Sequence, residues 1–189
     1  MGLNTKCPVH GNLHPDFLCP DKHTNGAINI KEVEQVFFMA MREGWAAGAE
    51  KISMPGMPGY KAIRFQYREW HVLDKYCANS QTGKSAGETT IWYERTPVWV
   101  MQYGGAYDKR VISFLKKCLM EYYEKSIFWG GRGMRFSNNS SGSLFYTNDP
   151  LSNNFSQFEG HEEVITVDTG ECMGYHDYKG MSLVQAPPN

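Results

Sequence analysis

The sequence lacks a strong excess of charge of either sign. It carries 19 lysine and arginine residues against 20 aspartate and glutamate residues, so its formal net charge at pH 7 is −1. General nucleic-acid binding proteins usually carry an excess of basic residues. We therefore expect no general nucleic-acid binding, although the composition leaves room for a local basic patch.

Long hydrophobic runs and a cysteine framework are also missing. No stretch approaches the roughly 20 apolar residues that a membrane-spanning helix requires, and the first residues, MGLNTKCPVHG, contain no apolar run of signal-peptide length. Five cysteines is an odd number, and a chain of 189 residues is large enough to form a core without disulfides. We therefore expect no membrane association and a reducing, cytoplasmic location.

The sequence does contain a regular succession of amphipathic patterns. In residues 89–105, two runs of β-branched and aromatic residues flank a polar break with a proline, which predicts a β-hairpin. A similar pattern in residues 160–180 predicts a second hairpin around a turn at 168–170. Apolar residues at three- and four-residue spacing predict one helix after Asn29 and another after Asp108.

The order of these elements predicts the fold class. Along the chain the pattern is helix, four strands, helix, four strands, and the dipeptides at 64–65 and 135–136 (both Arg-Phe) occupy corresponding places. We therefore predict an α+β protein in which a helix-plus-four-stranded antiparallel sheet unit is duplicated within one compact domain. The half-units would cover about residues 29–106 and 107–184, followed by a frayed tail at 185–189. The alternative is a coincidental similarity between two ordinary meanders.

Residues 1–28 form a separate extension with no visible helical or strand period. Cys7 and His10, and then Cys19 and His23, lie at spacings that suit tetrahedral zinc. A short segment without a core can gain folding free energy from a metal. These four residues are therefore candidate ligands of a structural zinc ion. The alternative is an arm with incidental cysteines and histidines, because the spacing between the two pairs is shorter than in the usual zinc finger.

Several sequence blocks occur in an order that is known from one family. They are PGMPGYKAIRF, GKSAGETTIWYERTPVWVMQYGG, VISFLKKCLMEYY, GGRG, FEGHEEV and GYHDYKG. Through these blocks the chain from about Glu50 to Leu183 resembles an uncharacterised bacterial and phage family, catalogued as a domain of unknown function. Some of its members carry the domain behind a helix-turn-helix segment, which implies a sensing or accessory role. The resemblance implies no activity, substrate or catalytic residue, and it does not extend to residues 1–28.

Two glycine-containing loops offer groups for an anion. The TGKS segment at 82–85 matches the end of a phosphate-binding loop but lacks the earlier glycine and the following helix, so only Lys84 and Ser85 are kept as ligand-binding candidates. Arg132 and Arg135 flank a glycine-rich turn, where a planar guanidinium suits carboxylate or phosphate. The alternative for both loops is a solvated turn with surface charges.

The second hairpin concentrates acid–base groups. It contains His161, Glu162 and His176, and strand alternation places His176 on the same face as Tyr178. Tyr103 occupies the comparable place in the first hairpin. These residues are candidates for a pocket with aromatic walls, in which a histidine would titrate near neutral pH. The alternative is a core histidine with satisfied hydrogen bonds.

These patterns support three hypotheses for function. The leading one is a non-catalytic binding module that sequesters or senses a small polar or anionic ligand. The second is a hydrolase that uses Glu162 and His176 as acid–base groups, which requires the two side chains to converge within hydrogen-bond reach. The third is a protein-interaction domain, and exposed sheet edges are consistent with a homodimer. From the sequence alone, no order of nucleophile, histidine and acid can be defended.

Overall fold

A computed structural model of the chain describes residues 28–137 and 143–184. Within these residues the helices are α1 (Ile30–Glu43) and α2 (Ile112–Glu124). The strands are β1 (Ile52–Ser53), β2 (Tyr60–Tyr67), β3 (Trp70–Ala78), β4 (Lys84–Tyr93), β5 (Thr96–Tyr107), β6 (Arg135–Ser137), β7 (Leu144–Asn154), β8 (Gln157–Thr166) and β9 (Cys172–Ser182).

The nine strands form one antiparallel sheet in the order β1-β2-β3-β4-β5-β9-β8-β7-β6. The chain meanders from the edge at β1 to the centre at β5, passes through α2 to the opposite edge at β6, and meanders back to the centre at β9. The predicted antiparallel pairing and the two predicted hairpins, β4–β5 and β8–β9, are confirmed.

The predicted duplication of a helix-plus-four-strand unit is wrong. The first half of the chain contributes five strands rather than four, and β5 pairs with β9 continuously from Trp99 to Tyr107. Tyr103 and Tyr178, which occupy comparable places in the two predicted hairpins, are direct cross-strand partners in this one sheet. Alternation in a sequence reports which residues of a strand share a face, but it does not report which distant strands pair.

Helix α1 begins and ends where its capping residues predict. The Asn29 side chain accepts a hydrogen bond of 3.0 Å from the backbone N–H of Lys31, and Gly44 follows the last turn. The apolar stripe of the helix is buried, with Phe37 fully enclosed. The Phe37 ring lies 5.1 Å from the ring of Trp99 and 5.9 Å from that of Phe155. Burial of such a side chain contributes about 1.5–3 kcal/mol, so this contact fixes α1 on the sheet.

Helix α2 starts from a capped 3-10 turn. The Asp108 carboxylate accepts a hydrogen bond of 2.8 Å from the backbone N–H of Arg110, and the turn Lys109–Val111 leads directly into the helix. Phe114, Leu115, Cys118 and Leu119 form its buried stripe. Asp108 follows β5 without a long loop, so the helix returns over the face of the sheet that contains Trp99.

Both helices pack on the same face of the sheet. We call it the inner face, and it contains Trp99 and Tyr103 of β5. The opposite face carries an ion pair of 3.2 Å between Lys75 and Glu88. Between them, the helices and the inner face leave a cavity. No helix in residues 28–137 and 143–184 is long and apolar enough to cross a membrane.

Candidate functional site

A cavity of about 390 Å³ lies between the two helices and the inner face of the sheet. Its apolar wall comes from both helices and from β2, β3 and β5, and includes Ala40, Met41, Ile63, Phe65, Val72, Met101, Leu115 and Leu119. Its polar groups lie mainly on the sheet side and are Asp74, Ser85, Thr89, Tyr103, Tyr107, Arg132 and His176. The exposed residues Lys61, Asn79, Ser80 and Lys109 also line it.

A single row of cross-strand partners organises the polar side. Ser85 of β4 is opposite Gly105 of β5, Gly105 is opposite His176 of β9, and His176 is opposite Glu162 of β8. Glu162 in turn is opposite Asn148 of β7. Directly opposed residues of a sheet project from the same face, so all these side chains belong to the inner face.

Ser85 and His176 meet across the strand that separates them. The Ser85 Oγ lies 3.1 Å from His176 Nε2. Between them stands Gly105, and a Cβ there would lie 2.9 Å from the His176 ring and 2.0 Å from the carbonyl oxygen of Tyr175. A side chain at position 105 would therefore separate the serine from the histidine. Glycine at position 105 therefore allows the Ser85 hydroxyl and the His176 ring to meet.

Glu162 is the most deeply buried charged group of the site, with no exposed surface. Its carboxylate accepts hydrogen bonds from Arg132 and, at 2.6 Å, from the Tyr146 hydroxyl, and one oxygen lies 3.6 Å from His176 Nδ1. Burial alone would raise the pKa of Glu162, but the Arg132 guanidinium and His176 hold it well below its usual range. Glu162 is therefore an anion that contacts two buried side chains as well as the histidine.

Arg132 reaches Glu162 from the glycine-rich loop after α2. Gly130 has φ of +61°, and a Cβ on it would overlap the Tyr178 hydroxyl, so this turn requires glycine. The Asn148 amide holds the loop by donating to the Gly133 carbonyl at 2.7 Å. The charge of Glu162 outweighs burial and raises the pKa of Arg132. Arg132 Nε, although buried, has no hydrogen-bond partner among the described residues.

A second polar cluster lies on the β3–β5 side of the cavity. The Asp74 carboxylate accepts hydrogen bonds from the Tyr103 hydroxyl at 2.6 Å and from the Thr89 hydroxyl at 3.1 Å. Burial raises the pKa of Asp74, and these hydrogen bonds oppose the shift. The Arg132 guanidinium carbon lies 5.8 Å from the centre of the Tyr103 ring, so this ring joins the two clusters.

The structure brings four of the predicted ligand-binding residues to the lining of this cavity. They are Ser85, Tyr103, Arg132 and His176. Glu162 lies directly behind His176 and Arg132. The hydrolase hypothesis requires Glu162 and His176 to converge within hydrogen-bond reach. One Glu162 oxygen lies 3.6 Å from His176 Nδ1, just beyond that reach, and this nitrogen has no hydrogen-bond partner among the described residues.

The other predicted ligand-binding residues do not line the cavity. Lys84 precedes Ser85 in β4, so alternation turns it to the opposite face, and it is exposed. Arg135 is exposed on the short edge strand β6. His161 is exposed and lies 2.7 Å from Asp177. Tyr178 is buried on the inner face, but its hydroxyl donates to Asn148 at 2.6 Å and it is not part of the lining.

Sequence reasoning missed Asp74, Thr89 and Asn148. A signal for Asp74 exists, because alternation in β3 places it on the face of Trp70 and Val72, where a carboxylate interrupts an apolar series. Thr89 and Asn148 give no comparable signal. Their roles depend on pairing with Asp74 and Glu162 across neighbouring strands.

The zinc prediction stands apart from this site. Cys7, His10, Cys19 and His23 lie outside the described residues. Within residues 28–137 and 143–184, no group of three or more histidine, cysteine, aspartate or glutamate side chains could hold a metal ion. The three cysteines of this part of the chain, at positions 77, 118 and 172, are unpaired. The structural zinc ion remains a prediction from the sequence.

Comparison with known families gives a match that runs from the middle of β3 to β9. A family model described as a domain of unknown function (DUF5680) matches residues 74–181, more than half of the chain. The matched segment begins in β3 at Asp74 and ends in β9, so it contains Ser85, Arg132, Glu162 and His176. No curated protein and no solved structure matches the chain. The predicted membership of a family of unknown function is confirmed, whereas the bacterial or phage origin and the sequence blocks that suggested the family stay predictions.

Proposed function

The chain belongs to the family described as a domain of unknown function (DUF5680), and we propose that it binds a small molecule in the cavity between its helices and its sheet. The ligand has an apolar body and a polar group that forms hydrogen bonds. The observation that carries this proposal is the cavity itself, about 390 Å³ in volume, with an apolar wall on one side and convergent polar groups on the other.

The size and the wall of the cavity support a ligand of metabolite size. Ligand pockets in proteins usually measure about 300–1,000 Å³ and combine a mainly apolar lining with a few placed polar groups. Met41 and Leu119 come from the two helices, and Phe65 and Met101 come from the sheet. An apolar ligand body between these layers would complete the packing that the helices leave open.

The polar side supports hydrogen bonding more strongly than the binding of an anion. The charge of Arg132 is already paired with Glu162, so it is only partly available to a ligand. Arg132 Nε lacks a partner in the described part of the chain, but this atom is itself buried. Asp74 and Ser85 add acceptors and a hydroxyl on the same side. The expected head group is therefore a carbonyl, hydroxyl or amide.

The exposed lysines of the lining leave room for a charged substituent. Lys61 and Lys109 both line the cavity and are exposed to solvent. An exposed ammonium attracts an anion only weakly, because water screens it. The two lysines can therefore tolerate a carboxylate at the outer end of the ligand while contributing little to its affinity. Such a ligand would have its apolar part directed inward and would belong to the predicted polar or anionic class.

The proposal is tested with 8-anilinonaphthalene-1-sulfonate, a fluorescent probe with an apolar body and one anionic group. We compare the wild type with Ala46→Trp, which places a large side chain on a residue of the lining. The matched control is Ala47→Trp, because Ala47 is the next residue, is exposed and does not belong to the lining. Fluorescence titration gives the affinity of each protein.

We expect saturable binding of one probe per chain, weakened at least about tenfold in Ala46→Trp, which is a loss of about 1.4 kcal/mol, and unchanged in Ala47→Trp. Equal binding by all three proteins would place the probe elsewhere and overturn the proposal. Thermal denaturation of each variant establishes that the folded state is retained.

A further inference from the structure

We propose that the cavity also hydrolyses an ester of its ligand class, with Ser85 as the nucleophile, His176 as the general base and Glu162 as the residue that positions the histidine. This inference rests on the proposed binding function, because the substrate would occupy the same cavity. It departs from the predicted hydrolase, in which Glu162 and His176 shared the acid–base work.

The contact of Ser85 with His176 carries the nucleophile and the base. The Ser85 Oγ lies 3.1 Å from His176 Nε2, and both residues line the cavity. With the ring proton on Nδ1, Nε2 accepts the hydroxyl hydrogen, which is the arrangement that activates a serine. The Gly105 position, where any side chain would meet the His176 ring, keeps this contact open across the intervening strand.

Glu162 is placed to orient the histidine rather than to exchange protons with a substrate. It has no exposed surface and does not line the cavity. Its oxygen lies 3.6 Å from His176 Nδ1, which is buried and has no other hydrogen-bond partner among the described residues. An anion at this distance favours the proton on Nδ1 and stabilises the imidazolium that forms when Nε2 takes the serine proton.

The remaining requirement is a donor for the oxyanion. Arg132 is a buried cationic side chain of the lining, and its guanidinium is the candidate donor. A fixed guanidinium donor in a buried site can stabilise charge that develops in a transition state. The Tyr107 ring, 4.9 Å from the His176 ring, also lines the cavity and limits the rotation of the imidazole.

The reaction balances without any co-reactant other than water. The Ser85 Oγ forms a bond to the ester carbonyl carbon while its proton moves to His176 Nε2. The carbon–oxygen bond of the leaving alcohol then breaks, and the alcohol departs with that proton. Water, deprotonated by His176, attacks the acyl-serine. The carboxylic acid leaves, and Ser85 regains its proton from His176.

The apolar wall indicates the kind of ester. An acyl chain can lie against Met41, Leu119 and Met101, with its carbonyl directed to the polar side. The volume of about 390 Å³ limits the substrate to a small molecule. We therefore expect short or medium acyl esters to be cleaved.

The test uses a rhodamine-tagged fluorophosphonate, which bonds to an activated serine with loss of fluoride, and the ester p-nitrophenyl butyrate. We expect one label per chain, mapped to Ser85 by peptide mass spectrometry. Ser85→Ala is expected to lose the label and at least about 100-fold of the esterase rate. The control Ser53→Ala changes an exposed serine on the edge strand β1, outside the lining, and is expected to behave as the wild type.

Glu162→Gln tests the positioning role. We expect kcat to fall while KM is unchanged, because the side chain contacts the histidine and not the substrate. Circular dichroism establishes that the variant is folded. If it is not folded, Ser85→Ala and the position of the label decide the question.

The outcomes separate this inference from the proposed binding function. A wild type that binds the anilinonaphthalene probe but neither takes the label at Ser85 nor cleaves the ester overturns the hydrolase and leaves the binding site intact. A label at any other residue also overturns it. Failure of the anilinonaphthalene titration overturns the binding proposal, whatever the label shows.

Discussion

The buried charge of Glu162 dominates the inner face at the residue scale. Removing a carboxylate from water is costly, and only close partners offset the cost. Arg132 and Tyr146 supply such partners, and the ion pair is enclosed on both sides. A buried ion pair is weak evidence for a role in stability, because an apolar pair of similar volume often stabilises the folded state equally. The position of Glu162, 3.6 Å from His176 Nδ1, fits the positioning role proposed above.

The coupling between Glu162 and Arg132 can be measured by a double-mutant cycle. Glu162→Gln leaves the Arg132 guanidinium buried without its counter-charge. Arg132→Met likewise leaves the Glu162 carboxylate buried without a counter-charge. Each single change is expected to lower the free energy of unfolding by about 3–5 kcal/mol. The double variant is expected to lose less than the sum of the two, because it leaves neither charge unpaired. Urea unfolding at pH 7 gives all three values.

The pH dependence and a surface control complete this test. Because the folded protein holds the pKa of Glu162 below its ordinary value, its contribution is present above about pH 4 and is lost as the pH falls toward the lowered pKa. The difference in the free energy of unfolding between the wild type and Glu162→Gln should therefore narrow in acid.

Asp177→Asn removes an exposed partner of His161 and should change the free energy of unfolding by no more than about 0.5 kcal/mol. Strictly additive losses would show that the ion pair is not coupled.

Part of the site could be predicted from single residues, and the limit is physical. Glu162 and His176 were identifiable because acid–base groups cluster in a predicted hairpin, and Ser85 was identifiable from its glycine-containing loop. Their meeting was not predictable, because it depends on Gly105 being opposite both Ser85 and His176 in a sheet whose central strands are about 70 residues apart in the chain. The anion-loop pattern groups Lys84 with Ser85, but strand alternation places the two side chains on opposite faces of the sheet.

At the scale of elements, the sequence predicts the ends of helix α1 and the hairpin turn correctly, but it does not predict which distant strands pair. Asn29 and Gly44 mark the ends of α1, and the polar break at 94–95 marks the turn of the β4–β5 hairpin, because caps and turns are encoded by neighbours in sequence. The pairing of β5 with β9 joins residues such as Trp99 and Ser182, which no local pattern connects.

The fit of β5 against β9 gives a prediction for two adjacent glycines. A Cβ at Gly105 would lie 2.0 Å from the backbone oxygen of Tyr175, whereas the nearest atom to a Cβ at Gly104 lies at 3.4 Å. Gly105→Ala is therefore expected to lower the free energy of unfolding by about 1–3 kcal/mol or more, and Gly104→Ala to change it little.

Thermal and urea unfolding of the two glycine variants measures this difference. Neither glycine requires a left-handed backbone, so the comparison reports the close approach of the strands alone. Equal stability of the two variants would mean that β9 can move away from Gly105, and the register at the centre of the sheet would then be less constrained than the structure indicates.

The molecule as a whole is held together by that central pairing. The two edge strands, β1 and β6, are only two and three residues long, whereas β5 and β9 have 12 and 11 residues. Short edges limit edge-to-edge association, while long unpaired strands promote it. Separating the chain between β5 and α2 would turn the two longest central strands into exposed edges. It would also divide the site, leaving Ser85 on one fragment and Arg132, Glu162 and His176 on the other.

We therefore expect neither fragment 28–107 nor fragment 108–184 to fold alone. Each would expose a long unpaired strand edge and lose part of the core around Phe37 and Trp99, so it should be unfolded or aggregated. Far-UV circular dichroism and analytical ultracentrifugation of each fragment, beside residues 28–184 as the control, measure this. A monomeric fragment that unfolds cooperatively would show that a half of the chain is an independent unit after all. Two unfolded fragments that regain structure on mixing would instead locate the stability of the molecule in the β5–β9 interface, which also brings His176 of β9 to Ser85 of β4.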